Sequence, residues 1–119
     1  MSFKGLNAVV TGAGSGLGRS LAINLAKAGA NVAIIDINES GLRETESMVN
    51  KTGVRCLVKK TDVSIWQEME SMAAEVLKSW ERVDILVNNA GVCSGGTMND
   101  IPVEAFQELI NVNLMSLWH

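Results

Sequence analysis

Closely spaced glycines stand near the start of the sequence, in the stretch TGAGSGLG at residues 11–18. Gly12, Gly16 and Gly18 follow the spacing G-x-x-x-G-x-G, with Gly14 inside it. Glycine at such positions lets a phosphate approach the main chain, because a Cβ atom would block it. The bare amides and the positive end of the following helix then face a pyrophosphate. We predict a dinucleotide-phosphate site; a tight turn without a ligand is the alternative.

The residues around this turn narrow the ligand. No Lys-Ser or Lys-Thr pair closes the motif, so it differs from the phosphate loop of nucleoside triphosphatases. Thr11 is expected to hydrogen-bond within the turn and hold its shape. Arg19 follows inside the next helix, and we expect it to be a solvated surface residue.

An acidic residue ends the second apolar run, NVAIID. Asp36 lies 18 residues after Gly18, the position expected for the carboxylate that binds the adenosine ribose. It would accept hydrogen bonds from the ribose hydroxyls and repel a 2′-phosphate, which favours NAD over NADP. Neither Ser15 nor Ile37 is basic, so neither supplies a cation for that phosphate. The alternative is a capping role, in which Asp36 or Asn38 starts the next helix.

The elements that must position these residues alternate along the chain. Apolar runs at residues 7–11, 31–36, within 54–63 and at 83–89 are typical of strands covered on both faces. Amphipathic stretches separate and follow them. The order β-α-β-α-β-α-β-α predicts an α/β fold, a doubly wound parallel sheet of the Rossmann type with four strands and four helices. It is incomplete as such sheets go, because no fifth strand follows.

The helices carry their own start, stop and burial signals. One face of the first helix is apolar and carries Leu17, Leu21, Leu25 and Ala28. Gly29 is its natural end. Ser64 is expected to cap the third helix, with Gln67 at the spacing of a capping box. Pro102 can open the last helix.

Composition and charge bound the class of protein. The 119 residues predict one domain over 1–119, and a net charge of −3 gives no general attraction to nucleic acid or anionic membrane. No apolar run reaches roughly 18 residues and no signal peptide is recognisable, so we expect a cytoplasmic protein without a membrane span. Cys56 and Cys93 match no metal-binding spacing, so we expect no metal and interpret both as buried small apolar residues.

Together with TDV at residues 61–63 and NNAG at residues 88–91, these features make the sequence resemble the short-chain dehydrogenase/reductase family. The resemblance covers the whole chain, and NNAG after the fourth strand is its most specific motif. It implies that Asp62 bonds the adenine amino group and that Val63 lies against the ring. Capping of the third helix is the alternative for Asp62. Asn88 would brace the sheet by side-chain hydrogen bonds.

The resemblance also implies that the NAG part of that motif passes beneath the adenosine and its ribose. The predicted cofactor contacts are therefore Gly12, Gly14, Ser15, Gly16, Leu17, Gly18, Asp36, Ile37, Asp62, Val63, Asn89, Ala90 and Gly91.

The chemistry that the resemblance implies is hydride transfer between a nicotinamide and an alcohol or carbonyl carbon. In the family this needs a Tyr-x-x-x-Lys pair and a Ser, and the sequence contains no tyrosine. Asn113 alone resembles a supporting residue, the helix asparagine behind the family's proton relay. An interhelical hydrogen bond is the alternative for Asn113.

The last ten residues, INVNLMSLWH, read as the middle of a buried helix. We therefore expect the cofactor half of a larger dehydrogenase, inactive alone. It would self-associate through the last helix or through the bare edge of the fourth strand, as a homo-oligomer. Two alternatives share the motifs: a stand-alone NAD sensor without catalysis, and a methyltransferase that binds S-adenosylmethionine. The residues of the loop at 92–100 do not indicate which substrate is bound.

Overall fold

The computed structural model describes residues 2–91 together with Glu104 and Gln107. Its elements are β1 (Asn7–Thr11), α1 (Gly16–Lys27), β2 (Asn31–Asp36), α2 (Glu39–Asn50), β3 (Cys56–Lys60), α3 (Trp66–Trp80) and β4 (Ile85–Val87). The four predicted strands and the first three helices are confirmed. The predicted fourth helix lies outside the described residues, except that Glu104 and Gln107 are helical.

The four strands form one parallel sheet in the order β3-β2-β1-β4. The chain runs outward from β1 through β2 to β3 and then returns to the other side of β1 as β4. This reversal between β1 and β4 is the switch point of a doubly wound sheet, where ligands bind beyond the carboxyl ends of the strands. The predicted fold class is confirmed.

Two apolar clusters cover the two faces of the sheet. On one face α1 and α2 pack over β1 and β2 through Ala22, Leu42 and Val49. On the other face, α3 forms the opposite layer and packs on the sheet through Met72, Val76 and Trp80. All five residues of β1 are buried, as expected for a central strand with helices on both sides.

The apolar face that helical spacing indicates for α1 is not its most buried face, although Leu25 packs against the core. Leu17 is 67% exposed, and Leu21, Leu25 and Ala28 are half-buried. The buried face instead carries the small residues Gly18, Ala22 and Ala26. A Cβ atom on Gly18 would collide with the carbonyl oxygen of Gly12, so α1 lies too close to the β1 turn for a large inward side chain. Close backbone packing therefore outweighs apolar periodicity here.

The predicted capping box of α3 is also wrong. The N-cap is Ile65, whose side chain makes no capping hydrogen bond. Ser64 lies one residue earlier and donates from both its amide and its hydroxyl to Asp62 Oδ1, at 2.9 and 2.6 Å. The Asp62 amide in turn donates to Glu68 Oε1, at 3.1 Å. The carboxylate of Asp62 thus shapes the turn before α3, which is close to the alternative role considered for it.

The edge of the sheet at β4 is apolar. β4 spans three residues rather than the predicted run over 83–89, and Leu86 is 58% exposed at this edge of the described sheet. Self-association through β4 or the last helix stays a prediction, as does a cytoplasmic location. Among the described residues no helix has the length and apolar character needed to cross a membrane.

Cys56 is half-buried rather than fully buried, and burial, with a smaller effect of the charge of Glu46, raises the pKa of its thiol to about 11. Cys93 lies outside the described residues. No group of three or more His, Cys, Asp or Glu side chains within residues 2–91 could hold a metal ion.

Candidate functional site

A cavity of about 410 Å³ opens at the carboxyl ends of the strands, beside the switch point. It is lined by Gly12, Ser15, Gly16, Leu17, Asp36, Ile37, Thr61, Asp62, Val63, Ser64, Asn89, Ala90 and Gly91. The structure therefore brings together all the predicted cofactor contacts except Gly14 and Gly18, which lie behind this surface. Thr61 and Ser64 are lining residues that the sequence analysis did not assign to the cofactor site. They flank the predicted Asp62-Val63 pair, so the end of β3 was the available signal.

The glycine-rich turn uses its glycines for different purposes. Gly12 and Gly16 have φ of +67° and +54°, a backbone region that favours glycine. A Cβ atom on Gly12 would lie 2.9 Å from Cα of Ala90, so glycine is needed for the approach of two backbone segments. A Cβ atom on Gly16 would meet nothing within 4 Å. The open space above Gly16 lies in the cavity, where a ligand could approach the main chain.

Thr11 does not hydrogen-bond within its own turn, contrary to the sequence-based expectation. It is 2% exposed, and its hydroxyl oxygen accepts from the amides of Asn89 and Ala90, both at 3.0 Å. The hydroxyl proton is donated to the carbonyl of Val87, at 3.3 Å. Thr11 thus joins the end of β1 to the segment after β4, and so holds two sides of the cavity together.

The carboxylate of Asp36 lies on the cavity surface and is held at both oxygens. Oδ2 accepts from the amide of Gly14 at 2.8 Å, and Oδ1 accepts from the amide of Asn38 at 3.0 Å. The alternative capping role falls to Asn38, whose side chain accepts from the amide of Gly41 at the start of α2. Asp36 is therefore a fixed carboxylate that faces the cavity.

Gly14 and Gly18 support the cavity from behind. A Cβ atom on Gly14 would lie 2.8 Å from Oδ2 of Asp36, so any larger residue would push the carboxylate away. A Cβ atom on Gly41 would meet the carbonyl oxygen of Gly14, which shows that α2 packs tightly against the turn. Packing therefore requires glycine at Gly14 and at Gly18, and their predicted contact with a phosphate stays a prediction.

Arg19 is not the solvated surface residue that we expected. Its side chain is 22% exposed, and Nη2 donates to the carbonyls of Gly14 and Gly41, at 2.6 and 3.2 Å. Nε donates to the hydroxyl of Thr45 at 2.9 Å. Nη2 also pairs with Glu44 at 3.0 Å, at the solvent side. Arg19 thus connects the glycine-rich turn to α2, which helical spacing alone could not indicate.

On the β3 side, Val63 is 6% exposed and Thr61 is 1% exposed, so this part of the lining is well packed. The amide of Thr61 donates to the carbonyl of Asp36 at 2.9 Å, which links the ends of β2 and β3. One oxygen of Asp62 is engaged by Ser64, as described above. The other oxygen, Oδ2, makes no hydrogen bond within the described residues. Because Asp62 lines the cavity, this oxygen is available to a ligand there.

The NNAG segment contributes main chain and one side chain. Nδ2 of Asn89 donates weakly to the carbonyl of Gly12, at 3.4 Å, and so ties this segment to the glycine-rich turn. Asn88 is exposed and forms no side-chain hydrogen bond in the described part of the chain, so the predicted bracing role is not seen there. Asn113 lies outside the described residues.

The fold and the site together define a Rossmann-type nucleotide-binding domain. A sequence profile described as short chain dehydrogenase matches residues 6–119. The chain therefore belongs to the short-chain dehydrogenase family, an oxidoreductase family.

Individual relatives agree with this assignment. An uncharacterized oxidoreductase of Schizosaccharomyces pombe is 36% identical over 119 residues, which cover 100% of this chain and 46% of that protein. Carveol dehydrogenase from Mycobacterium avium, solved in complex with NAD, is similar with a TM-score of 0.91 and 31% identity over 98% of this chain and 47% of that one. A variant of actinorhodin polyketide ketoreductase solved with NADPH gives a TM-score of 0.91 and 34% identity over 99% and 46%. The chain spans about half the length of these relatives.

Proposed function

We propose that residues 1–119 form one dinucleotide-binding domain that holds NAD in the cavity beyond β1, β2 and β4. The domain serves an oxidoreductase that transfers hydride between a nicotinamide and an alcohol or carbonyl carbon. NAD supplies the hydride chemistry when it is bound. The described residues bind and orient it, whereas no described residue is assigned to the proton transfer.

The observation that carries this proposal is the joint position of the glycine-rich turn and Asp36 on one cavity. The turn offers main-chain amides at the N-terminus of α1, where an anion is favoured. Asp36 offers a carboxylate at the end of the neighbouring strand. A dinucleotide carries both a pyrophosphate and a ribose diol, so one such ligand could bind the turn and Asp36 together.

The remaining lining residues fit the adenosine half. Val63 provides an apolar surface for a purine ring, and Asp62 provides an acceptor for its amino group. Asn89, Ala90 and Gly91 pass along the opposite side. The cavity contains no Lys or Arg among its lining residues within 2–91, which supports NAD over NADP because a 2′-phosphate would meet Asp36 without a compensating cation.

Calorimetric titration of the chain with NAD, NADP and S-adenosylmethionine tests the proposal. NAD is expected to bind more tightly than NADP, and S-adenosylmethionine is expected not to bind measurably. Asp36→Ala should reduce the NAD preference by about tenfold, which corresponds to ~1.4 kcal/mol. Glu39→Ala is the matched control, since Glu39 is a nearby carboxylate that does not line the cavity and pairs with Arg43. An unchanged preference in Asp36→Ala would remove Asp36 from the account.

A further inference from the structure

A continuous chain of hydrogen bonds leads from the partly enclosed guanidinium of Arg19 to the carboxylate of Asp36. Nε of Arg19 donates to Oγ1 of Thr45 at 2.9 Å, and Oγ1 of Thr45 donates to the carbonyl of Ala13 at 2.7 Å. The next amide along, that of Gly14, donates to Oδ2 of Asp36 at 2.8 Å. Because Ala13 and Gly14 share one peptide group, its carbonyl and its amide are both engaged.

The direction of each bond is fixed by the chemistry of its donor. A guanidinium can only donate, so the Thr45 oxygen must accept from Arg19 and has a single proton to give. Oγ1 lies 2.7 Å from the carbonyl of Ala13 and 3.1 Å from that of Gly41. The Ala13 carbonyl is the nearer acceptor, and the Gly41 carbonyl also receives Nη2 of Arg19, so the proton is assigned to the shorter contact. Every donor in the chain therefore points toward Asp36.

This chain is enclosed by the protein. Thr45 and Ala13 are 0% exposed, so no water competes for their hydrogen bonds. Hydrogen bonds in series polarise one another, and they are stronger in a medium of low dielectric constant. A bond to an ionised acceptor is stronger than one between neutral groups. The arrangement thus holds the Ala13–Gly14 peptide in one orientation and, through it, the carboxylate.

We propose that Thr45 and Arg19 are positioning residues that set the preference for NAD over NADP by fixing the carboxylate of Asp36 through the Ala13–Gly14 peptide. The inference rests on the proposed function, because it concerns how that site discriminates between its ligands. Neither residue lines the cavity, so neither could act by direct contact with the dinucleotide. With the chain interrupted, the hydrogen bond from the Gly14 amide weakens, Asn38 becomes the firmer partner of Asp36, and the carboxylate can turn away from a 2′-phosphate.

Thr45→Val is the main variant, because valine keeps the shape of threonine and removes the hydroxyl. The measured quantity is the ratio of the Kd for NADP to the Kd for NAD, obtained by calorimetry on the full chain. We expect this ratio to fall by about three- to tenfold, the range of one lost hydrogen bond. Thr45→Ser restores the hydroxyl and should restore the ratio. NMR should show the Gly14 amide proton moving upfield in Thr45→Val and returning in Thr45→Ser.

Arg19→Met is the second variant and decides the matter if Thr45→Val does not fold. It removes the first donor but leaves Thr45 in place, and we expect the ratio to fall by about threefold. Two controls accompany these variants. Thr52→Val removes a hydroxyl that bonds Val49 in the turn after α2, and Arg43→Met removes an exposed arginine of α2. Neither should change the ratio.

A purely structural role would lower the affinity for both dinucleotides equally and leave the ratio unchanged. It would also act independently of Asp36, so Thr45→Val is repeated in an Asp36→Ala background, where we expect no further change in the ratio. An unchanged ratio in both Thr45→Val and Arg19→Met, or a change that persists without Asp36, would overturn the inference while the proposed function stands. A folded wild-type chain that binds neither dinucleotide, or both equally, would overturn the proposed function and this inference with it.

Discussion

The substitution Thr11→Val tests how the two sides of the cavity are joined. Valine matches the volume of threonine, so no void is created in the buried position that Thr11 occupies at 2% exposure. Three hydrogen bonds of its hydroxyl disappear: those from the amides of Asn89 and Ala90 and that to the carbonyl of Val87.

The expected loss of stability follows from which partners remain. The amide of Asn89 retains the carbonyl of Val87 at 3.1 Å, whereas the amide of Ala90 has no second acceptor within the described part of the chain. A backbone amide left without a hydrogen-bond acceptor lowers the free energy of unfolding by about 1–3 kcal/mol. Ala90 is half-buried, so the lower half of that range applies to it. With the weaker loss at Val87, we expect the free energy of unfolding to fall by about 2 kcal/mol.

Urea denaturation followed by tryptophan fluorescence measures this loss, because Trp80 is 7% exposed and packs against the sheet. With a slope of about 2 kcal/mol per M, the midpoint should fall by about 1 M. Thr11→Ser keeps the oxygen and loses one buried methyl group, so it should cost about 1 kcal/mol. A midpoint for Thr11→Val within about 0.2 M of the wild type, or one above that of Thr11→Ser, would refute this reasoning.

Two further predictions concern α1 and the thiol of β3. Leu17→Ser should change the free energy of unfolding by less than about 0.5 kcal/mol, since Leu17 is 67% exposed, whereas Ala22→Leu on the buried face should cost about 1–3 kcal/mol, both by urea denaturation. Equal losses of stability in these two variants would instead favour the apolar face indicated by helical spacing. Burial, then Glu46, raises the pKa of Cys56 from 9.0 to about 11, so the folded state binds more protons than the unfolded state in this range. Its contribution to stability is present below pH 9.0 and is lost as pH rises toward about 11, so the difference in urea midpoint between wild type and Cys56→Ala should narrow over that range. A constant difference would contradict it.

The sequence predicted the sheet and which residues meet at the candidate site, because both depend on short-range patterns. The continuous apolar runs at β1 and β2 are typical of buried strands, and parallel strands bring their carboxyl ends to one edge. Asp36 and the glycine-rich turn therefore had to meet. Helix starts and faces were harder, because Ser64 had a choice between capping α3 and bonding Asp62, and local spacing does not decide it.

The supporting residues could not be predicted, because their partners are distant in sequence. Thr11 bonds Asn89 and Ala90 across the sheet, and no local signal reports that. Arg19 is a charged residue in a helix, a type that is usually solvated, yet it is largely enclosed by α2 and the glycine-rich turn. Tertiary hydrogen bonds to main-chain carbonyls depend on how α1 and α2 pack, which a single sequence does not specify.

A crystal structure of the chain grown with NAD is the most direct test of the central claim. The account predicts the pyrophosphate within hydrogen-bond distance of main-chain amides in residues 12–18, and an adenosine ribose hydroxyl on the carboxylate of Asp36. Well-ordered crystals of the folded chain that take up no NAD at about millimolar concentration, or that hold it with the ribose away from Asp36, would contradict the account.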